Sequence, residues 1–156
     1  MTAPAADAQA LAERITRDLL ARDAFSAWLG VQLVAIAPGR CSLRMTVRDE
    51  MVNGFGVTHG GITYALADSA LAFASNTNGR VTVSIENSIG YPVAVHPGNT
   101  LTAEAEELSA ANRIAFYQVT VRNEAAVTVA VFRGTVYRTR QDHLSQDPRH
   151  DRRVSH

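Results

Sequence analysis

The chain has 156 residues, 46% of them hydrophobic and 19% charged, with fifteen basic residues balancing fifteen acidic ones. One soluble globular domain is expected at that length and composition. The zero net charge excludes the general electrostatic attraction that recruits nucleic acid or an anionic membrane, so neither is expected as a partner. The single cysteine, Cys41, excludes an internal disulfide framework and fits a reducing cytoplasm. Residues 1–6 lack the basic and apolar regions of a secretion signal, and no run of about eighteen residues is apolar enough to span a membrane.

Residues 7–24 carry Leu11, Ile15, Leu19 and Leu20 at helical spacing, and a short apolar segment with Phe25, Trp28 and Leu29 ends at Gly30. Residues 1–30 therefore read as a helical arm that covers a sheet edge or the mouth of a pocket. Residues 31–36 and 41–47 read as strands joined by the turn Ala37-Pro38-Gly39-Arg40. Cys41, Leu43, Met45 and Val47 alternate with polar residues, which places Cys41 on the inward face as a small apolar side chain and not as a nucleophile. A long apolar helix follows to about Asn76, then four strand-like segments near 81–95, 100–108, 113–123 and 126–139, expected as an antiparallel meander. Residues 141–156 are polar, aperiodic and hold His143, His150 and His156; they read as a disordered tail. The expected class is α+β: a long central helix wrapped by a curved antiparallel sheet of five to six strands, in one domain over 31–140. A single wrap leaves one side of so apolar a helix open, which predicts a partner subunit as its cover.

Chemistry concentrates in Asn53-Gly54-Phe55-Gly56-Val57-Thr58-His59-Gly60-Gly61 and the helix behind it. Gly60 and Gly61 open the helix, where the free N–H groups and the helix dipole suit a carbonyl or oxyanion, and the missing side chains allow close approach. Close packing explains a glycine pair equally well. His59 serves as a helix cap or a base, and Asn53 as a turn residue or a site residue. Asp68 interrupts the apolar run 62–74. A carboxylate there is costly unless it is used or paired, for instance with Arg80 or Arg44. Asp68 lies eight residues beyond Gly60, about 12 Å along the helix axis. One carbonyl carbon cannot sit beside both in one chain. Two such helices running antiparallel across a two-fold axis would bring Gly60 of one to Asp68 of the other, twice per dimer.

The pattern Asn-x-x-Gly-x-x-His-Gly-Gly with Asp nine residues after the histidine resembles the hotdog-fold acyl-CoA thioesterases, in particular the branch tied to phenylacetate degradation. The likeness extends over roughly residues 15–140. It includes Phe25-Ser26-Ala27-Trp28-Leu29-Gly30-Val31, Leu66-Ala67-Asp68-Ser69-Ala70, Asn76-Thr77-Asn78-Gly79 and Val131-Phe132-Arg133-Gly134. The resemblance implies a cytoplasmic thioester hydrolase, a dimer or dimer of dimers (a homotetramer), with no metal and no organic cofactor, since coenzyme A belongs to the substrate. It implies that Gly60 N–H polarises the thioester carbonyl, that His59 and Asn53 shape that end, and that Asp68 of the other subunit is general base or nucleophile. Ser84, seven residues before Tyr91, takes the place of the family's water-positioning hydroxyl. Here the chain departs from the family: Pro92 follows Tyr91 directly, and a register set by Pro92 points to Thr82 instead. Arg113, with Arg133 and Arg80 behind it, is implied as the contact for the CoA phosphates or pantetheine. Phe25, Trp28, Leu29, Phe55 and Tyr64 are candidates for an acyl pocket. The competing readings are a hotdog dehydratase or hydratase and a non-catalytic acyl-CoA-binding module.

Overall fold

The computed structural model of the chain describes residues 5–145. The arm is two helices, α1 (Ala5–Leu20), which ends short of the expected residue 24, and α2 (Ala24–Leu29), formed by the short apolar segment. Asp23 separates them. Its carboxylate accepts the Ser26 N–H at 2.9 Å and the Ser26 hydroxyl at 2.6 Å, capping α2, and Gly30 ends α2 at φ +83. A side chain able to satisfy two free donors is better used at a helix start than in a helix interior.

Six strands follow: β1 (Gln32–Ala37), β2 (Arg40–Thr46), β3 (Arg80–Gly90), β4 (Thr100–Ala111), β5 (Ile114–Arg122) and β6 (Thr128–Asp142). All pair antiparallel in one sheet, in the order β1-β2-β4-β5-β6-β3. Only β4-β5-β6 is a meander. The long helix α3 (Gly60–Asn76) crosses the concave face after β2, so β3 starts at the far edge beside β6, and residues 91–99 carry the chain back to pair β4 with β2. β3 ends at Gly90, short of the expected 95, and Pro92, which lacks an N–H, lies just beyond it.

The sheet alternates as the sequence does: Cys41, Leu43, Met45, Leu101, Ala103, Tyr117, Val119, Val121, Phe132 and Val136 are buried and face α3. They enclose Leu66, Ala67, Ala70, Leu71, Phe73 and Ala74 of the helix. Cys41 is 3% exposed and burial pushes its thiol up to about 12, so it stays a protonated, unreactive core group. α1 and α2 cover part of α3, and the β1 edge lies beside α1. The helix stripe Gly61, Ala65, Ala72 stays partly or fully open.

β6 runs two residues past the expected domain boundary, and His143 is docked and not part of a loose tail. Its N–H donates to Gly79 C=O at 2.9 Å, and its ring Nε2 lies 2.6 Å from Asn76 Oδ1. That oxygen also accepts the Thr82 N–H at 2.9 Å, so the ring nitrogen is the donor. Burial, and then Arg22, pull the His143 pKa down. His150 and His156 lie outside the described residues.

One glycine in the sheet is dictated by packing. A Cβ on Gly134 would stand 2.5 Å from Leu71 Cδ2 and 2.9 Å from Asn87 Oδ1. Gly134→Ala is therefore expected to destabilise the fold by about 1–3 kcal/mol in chemical denaturation. Leu71→Val should relieve part of that cost in the double variant, measured as a favourable coupling in a double-mutant cycle.

Candidate active site

The loop before α3 is folded by Asn53. Its N–H donates to Val57 C=O at 2.8 Å, its C=O accepts the Gly56 N–H at 3.0 Å, and its Oδ1 accepts the Phe55 N–H at 2.9 Å. An asparagine turn of this kind carries the chain from the Val52–Thr58 bridge into the helix. His59 caps α3, its Nδ1 accepting the Gly61 N–H at 2.9 Å. With Nδ1 an acceptor, the neutral ring carries its proton on Nε2, so His59 presents a donor at the helix start and not a base. Both glycines lie close against a neighbouring side chain. A Cβ on Gly61 would come 3.0 Å from His59 Nδ1, and one on Gly60 would meet the Tyr91 ring at 3.2 Å. The Tyr91 hydroxyl donates to Gly60 C=O at 2.9 Å, tying the helix start to the end of β3. Gly60 N–H has no hydrogen-bond partner among the described residues.

Gly60, Tyr64 and Asp68 recur at four-residue spacing and line one face of α3 along its seam with β3. Among the described residues no cation meets the Asp68 carboxylate. Its Oδ1 accepts Asn87 Nδ2–H at 3.1 Å. Asn87 Nδ2 also donates to the Tyr64 hydroxyl at 3.0 Å, and its Oδ1 accepts the Ser84 hydroxyl at 2.7 Å. Arg44 lies on the outward face of β2 and Arg80 is exposed at the start of β3; neither pairs with Asp68. Burial raises the Asp68 pKa above the usual aspartate value, and the Asn87 hydrogen bond partly offsets it. Thr82 is buried elsewhere: its hydroxyl donates to Arg80 C=O at 3.0 Å and its N–H to Asn76, at the opposite end of α3 from Gly60. Of the two candidate hydroxyls, Ser84 is the one joined to Asp68.

Asn87 escapes a reading of the sequence because of a β-bulge. Ser84 pairs with Val136 and Glu86 with Thr135, leaving Ile85 as an extra residue. Two residues three apart on a regular strand point to opposite faces. The bulge turns Ser84 and Asn87 to the same one, Asn87 lying opposite Gly134. The signal available was the parity of Asn87 with Ile89, which pairs with buried Phe132.

The remaining candidates do not converge within one chain. Arg113 donates to the Tyr137 hydroxyl at 2.7 Å and stacks on that ring. Arg133 is exposed four residues back along β6, about 13 Å away, on the same outer face as Tyr137. Leu29 is fully buried core, while Phe25 and Trp28 stack on each other at 5.8 Å and stay half exposed. Phe55 is 93% exposed at the loop tip. Tyr64 packs edge-on to Phe132 in the seam itself.

Residues 55–130 match the model of the family described as the thioesterase superfamily. A putative esterase of Archaeoglobus fulgidus is 36% identical over 132 residues, 85% of this chain and 86% of that protein. The acyl-coenzyme A thioesterase PaaI of Escherichia coli is 34% identical over 116 residues, 74% of this chain and 83% of the relative. The solved structure of E. coli PaaI, from the phenylacetic acid degradation operon, matches with a TM-score of 0.84 at 30% identity, covering 86% of this chain and 97% of that one. Human acyl-coenzyme A thioesterase 13 is 33% identical over 120 residues, 75% of this chain and 85% of its own length. The chain thus belongs to the thioesterase superfamily and has its hotdog fold, an apolar helix held in a curved antiparallel sheet.

Proposed function

We propose that the protein hydrolyses acyl-CoA thioesters to the free acid and coenzyme A, with aromatic acyl groups of the phenylacetyl or hydroxyphenylacetyl type as its substrates. The likeness to PaaI and to acyl-coenzyme A thioesterase 13 supports the reaction class. A Streptococcus mutans relative, 25% identical with a TM-score of 0.68, is solved bound to acetyl-CoA. The observation that carries the reading is the carboxylate of Asp68, half-buried on an apolar helix and facing no cation. A binding module gains nothing from such a group, whereas hydrolysis needs it.

In this mechanism the thioester carbonyl oxygen lies on Gly60 N–H, at the positive end of the α3 dipole. Asp68 of the partner subunit takes a proton from water as it attacks the carbonyl carbon, or attacks the carbon itself and forms an anhydride that water then opens. The C–S bond breaks, the electron pair leaves on the CoA sulfur, and the thiolate takes up a proton. Ser84 holds the water, and His59 and Asn53 shape the carbonyl end. Water and the protein's own groups suffice, and CoA is part of the substrate. Arg113, Arg133 and Arg80 supply cations for the CoA phosphates.

The shared site follows from two features. Gly60 and Asp68 are about 12 Å apart along α3. β3 is one of the two edge strands of the sheet, the one away from α1, eleven residues long, with Val83 and Ile85 about half exposed. A long open strand of that kind is a pairing template. Two-fold pairing there sets two α3 helices antiparallel and brings each Gly60 toward the opposite Asp68. A dimer of dimers in the cytoplasm completes the proposal; no helix among the described residues is long and apolar enough to cross a membrane.

The protein should release free thiol from phenylacetyl-CoA faster than from short aliphatic acyl-CoAs, and no release from any acyl-CoA would refute the reading. Asp68→Ala should lower kcat by about 10²- to 10⁴-fold, whereas full activity would remove the mechanism. Gly60→Pro suits the position, because His59 is extended at ψ 131 and proline is accepted at the first helical residue. It deletes the N–H, whereas Gly60→Ala imposes the same crowding on Tyr91 and keeps it. Gly60→Pro should cost about 10²- to 10³-fold more in kcat than Gly60→Ala. Mixed dimers of Asp68→Ala and Gly60→Pro chains should regain activity at one site per dimer, and none if each site lies within one chain.

A further inference from the structure

Asn87 has no assigned role, yet it is the hub of the seam. It is the one side chain bonded to Asp68, Tyr64 and Ser84 at once. The three partners fix which way its amide points. An ionised carboxylate can only accept, so the Nδ2 end must face Asp68. The Ser84 hydroxyl can donate, so the Oδ1 end faces Ser84. Two structural features hold the amide there. The bulge at Ile85 turns Ser84 and Asn87 to the same face of β3. Opposite Asn87, Gly134 leaves the room it needs, since a Cβ at that position would come 2.9 Å from Asn87 Oδ1.

We propose that Asn87 is the positioning residue of the reactive carboxylate: it donates to Asp68 to hold it ionised and aimed, and it is itself locked by Ser84. The inference rests on Asp68 being the reacting group of the proposed hydrolase. It also sharpens the part played by Ser84. The Ser84 proton is committed to Asn87, so toward water Ser84 acts as an acceptor only. A water that donates one proton to Ser84 and the other to Asp68 keeps an oxygen lone pair for the carbonyl carbon. No bond is made or broken at Asn87.

The sign of the effect follows from the charge. A donor to the carboxylate favours the ionised form, so removing it raises the Asp68 pKa further, and activity that needs the ionised form retreats to higher pH. Among the described residues no charged side chain is bonded to this group; Tyr64, Ser84 and Asn87 are the polar groups around it.

The test compares wild type, Asn87→Leu, Asn87→Asp and Ser84→Ala in the full-length protein. The carboxyl carbon of Asp68 is titrated by NMR, and phenylacetyl-CoA hydrolysis is followed against pH. In Asn87→Leu the Asp68 midpoint should rise by about 1–2 pH units, and the acid limb of kcat/KM should move with it. KM should change less than about threefold, because Asn87 touches the carboxylate and not the CoA. Asn87→Asp keeps the shape of the side chain and puts a second carboxyl against Asp68. It should raise the midpoint further, and it decides the matter if the leucine variant does not fold. Ser84→Ala should raise the midpoint by less than Asn87→Leu does. An Asp68 midpoint unmoved in a folded Asn87→Leu or Asn87→Asp protein overturns the proposal. A wild type inactive on every acyl-CoA overturns the hydrolase reading instead, and the NMR titration then still decides whether Asn87 holds Asp68 ionised.

Discussion

A carboxylate on an apolar helix is the constraint to which much of the surrounding structure answers. Asp68 loses water on one side and gains no cation among the described residues, and one amide hydrogen bond from β3 partly offsets the cost of its burial. That bond fixes the seam between α3 and β3. The seam in turn requires the bulge that aims Asn87, the glycine at 134 that leaves it space, and a hydroxyl at 84 to fix its orientation. A helix free of Asp68 would pack more simply and more stably. Proteins tolerate such a cost where chemistry needs the group.

The start of the same helix shows packing and chemistry settled by the same residues. Gly60 and Gly61 fit closely against side chains, one against the Tyr91 ring and the other against the capping imidazole of His59, so a larger residue at either position would push its neighbour aside. Their consequence is an uncovered N–H at the positive end of the dipole. Tyr91 takes the Gly60 carbonyl and His59 Nδ1 takes the Gly61 N–H, so the Gly60–Gly61 peptide is anchored on both sides while the Gly60 N–H of the preceding peptide has no partner among the described residues. Under the proposed mechanism, a close-packed helix start and a carbonyl site are two descriptions of one arrangement.

The architecture was largely legible in the sequence, because alternation in β2, β4 and β5 reports the strand period directly and the apolar run of α3, interrupted only at Asp68, is too long for a strand. The site was legible only where residue type alone spoke. Glycines before an apolar helix, a histidine at the cap position and a lone aspartate in the run are visible in one dimension. Asn87 was not, since a bulge resets the parity on which a strand reading depends. The edge position of β3 was hidden too, because the path of α3 across the sheet, and not chain order, decides it. The first helix of the arm read on to residue 24, past its end at Leu20, because the role of Asp23 as the cap of α2 does not show in the apolar spacing. His143 read as tail because long-range contacts to Asn76 and Gly79 leave no local pattern.

The central claim is that one acyl group is handled by the helix start of one chain and the carboxylate of another. A crystal structure of the assembled protein with a thioether analogue of phenylacetyl-CoA tests it most directly. The account predicts the carbon beside sulfur lying between Gly60 N–H of one chain and Asp68 of its neighbour, with two β3 strands paired across a two-fold axis. An analogue seated within a single chain, or away from Asp68 altogether, would contradict it.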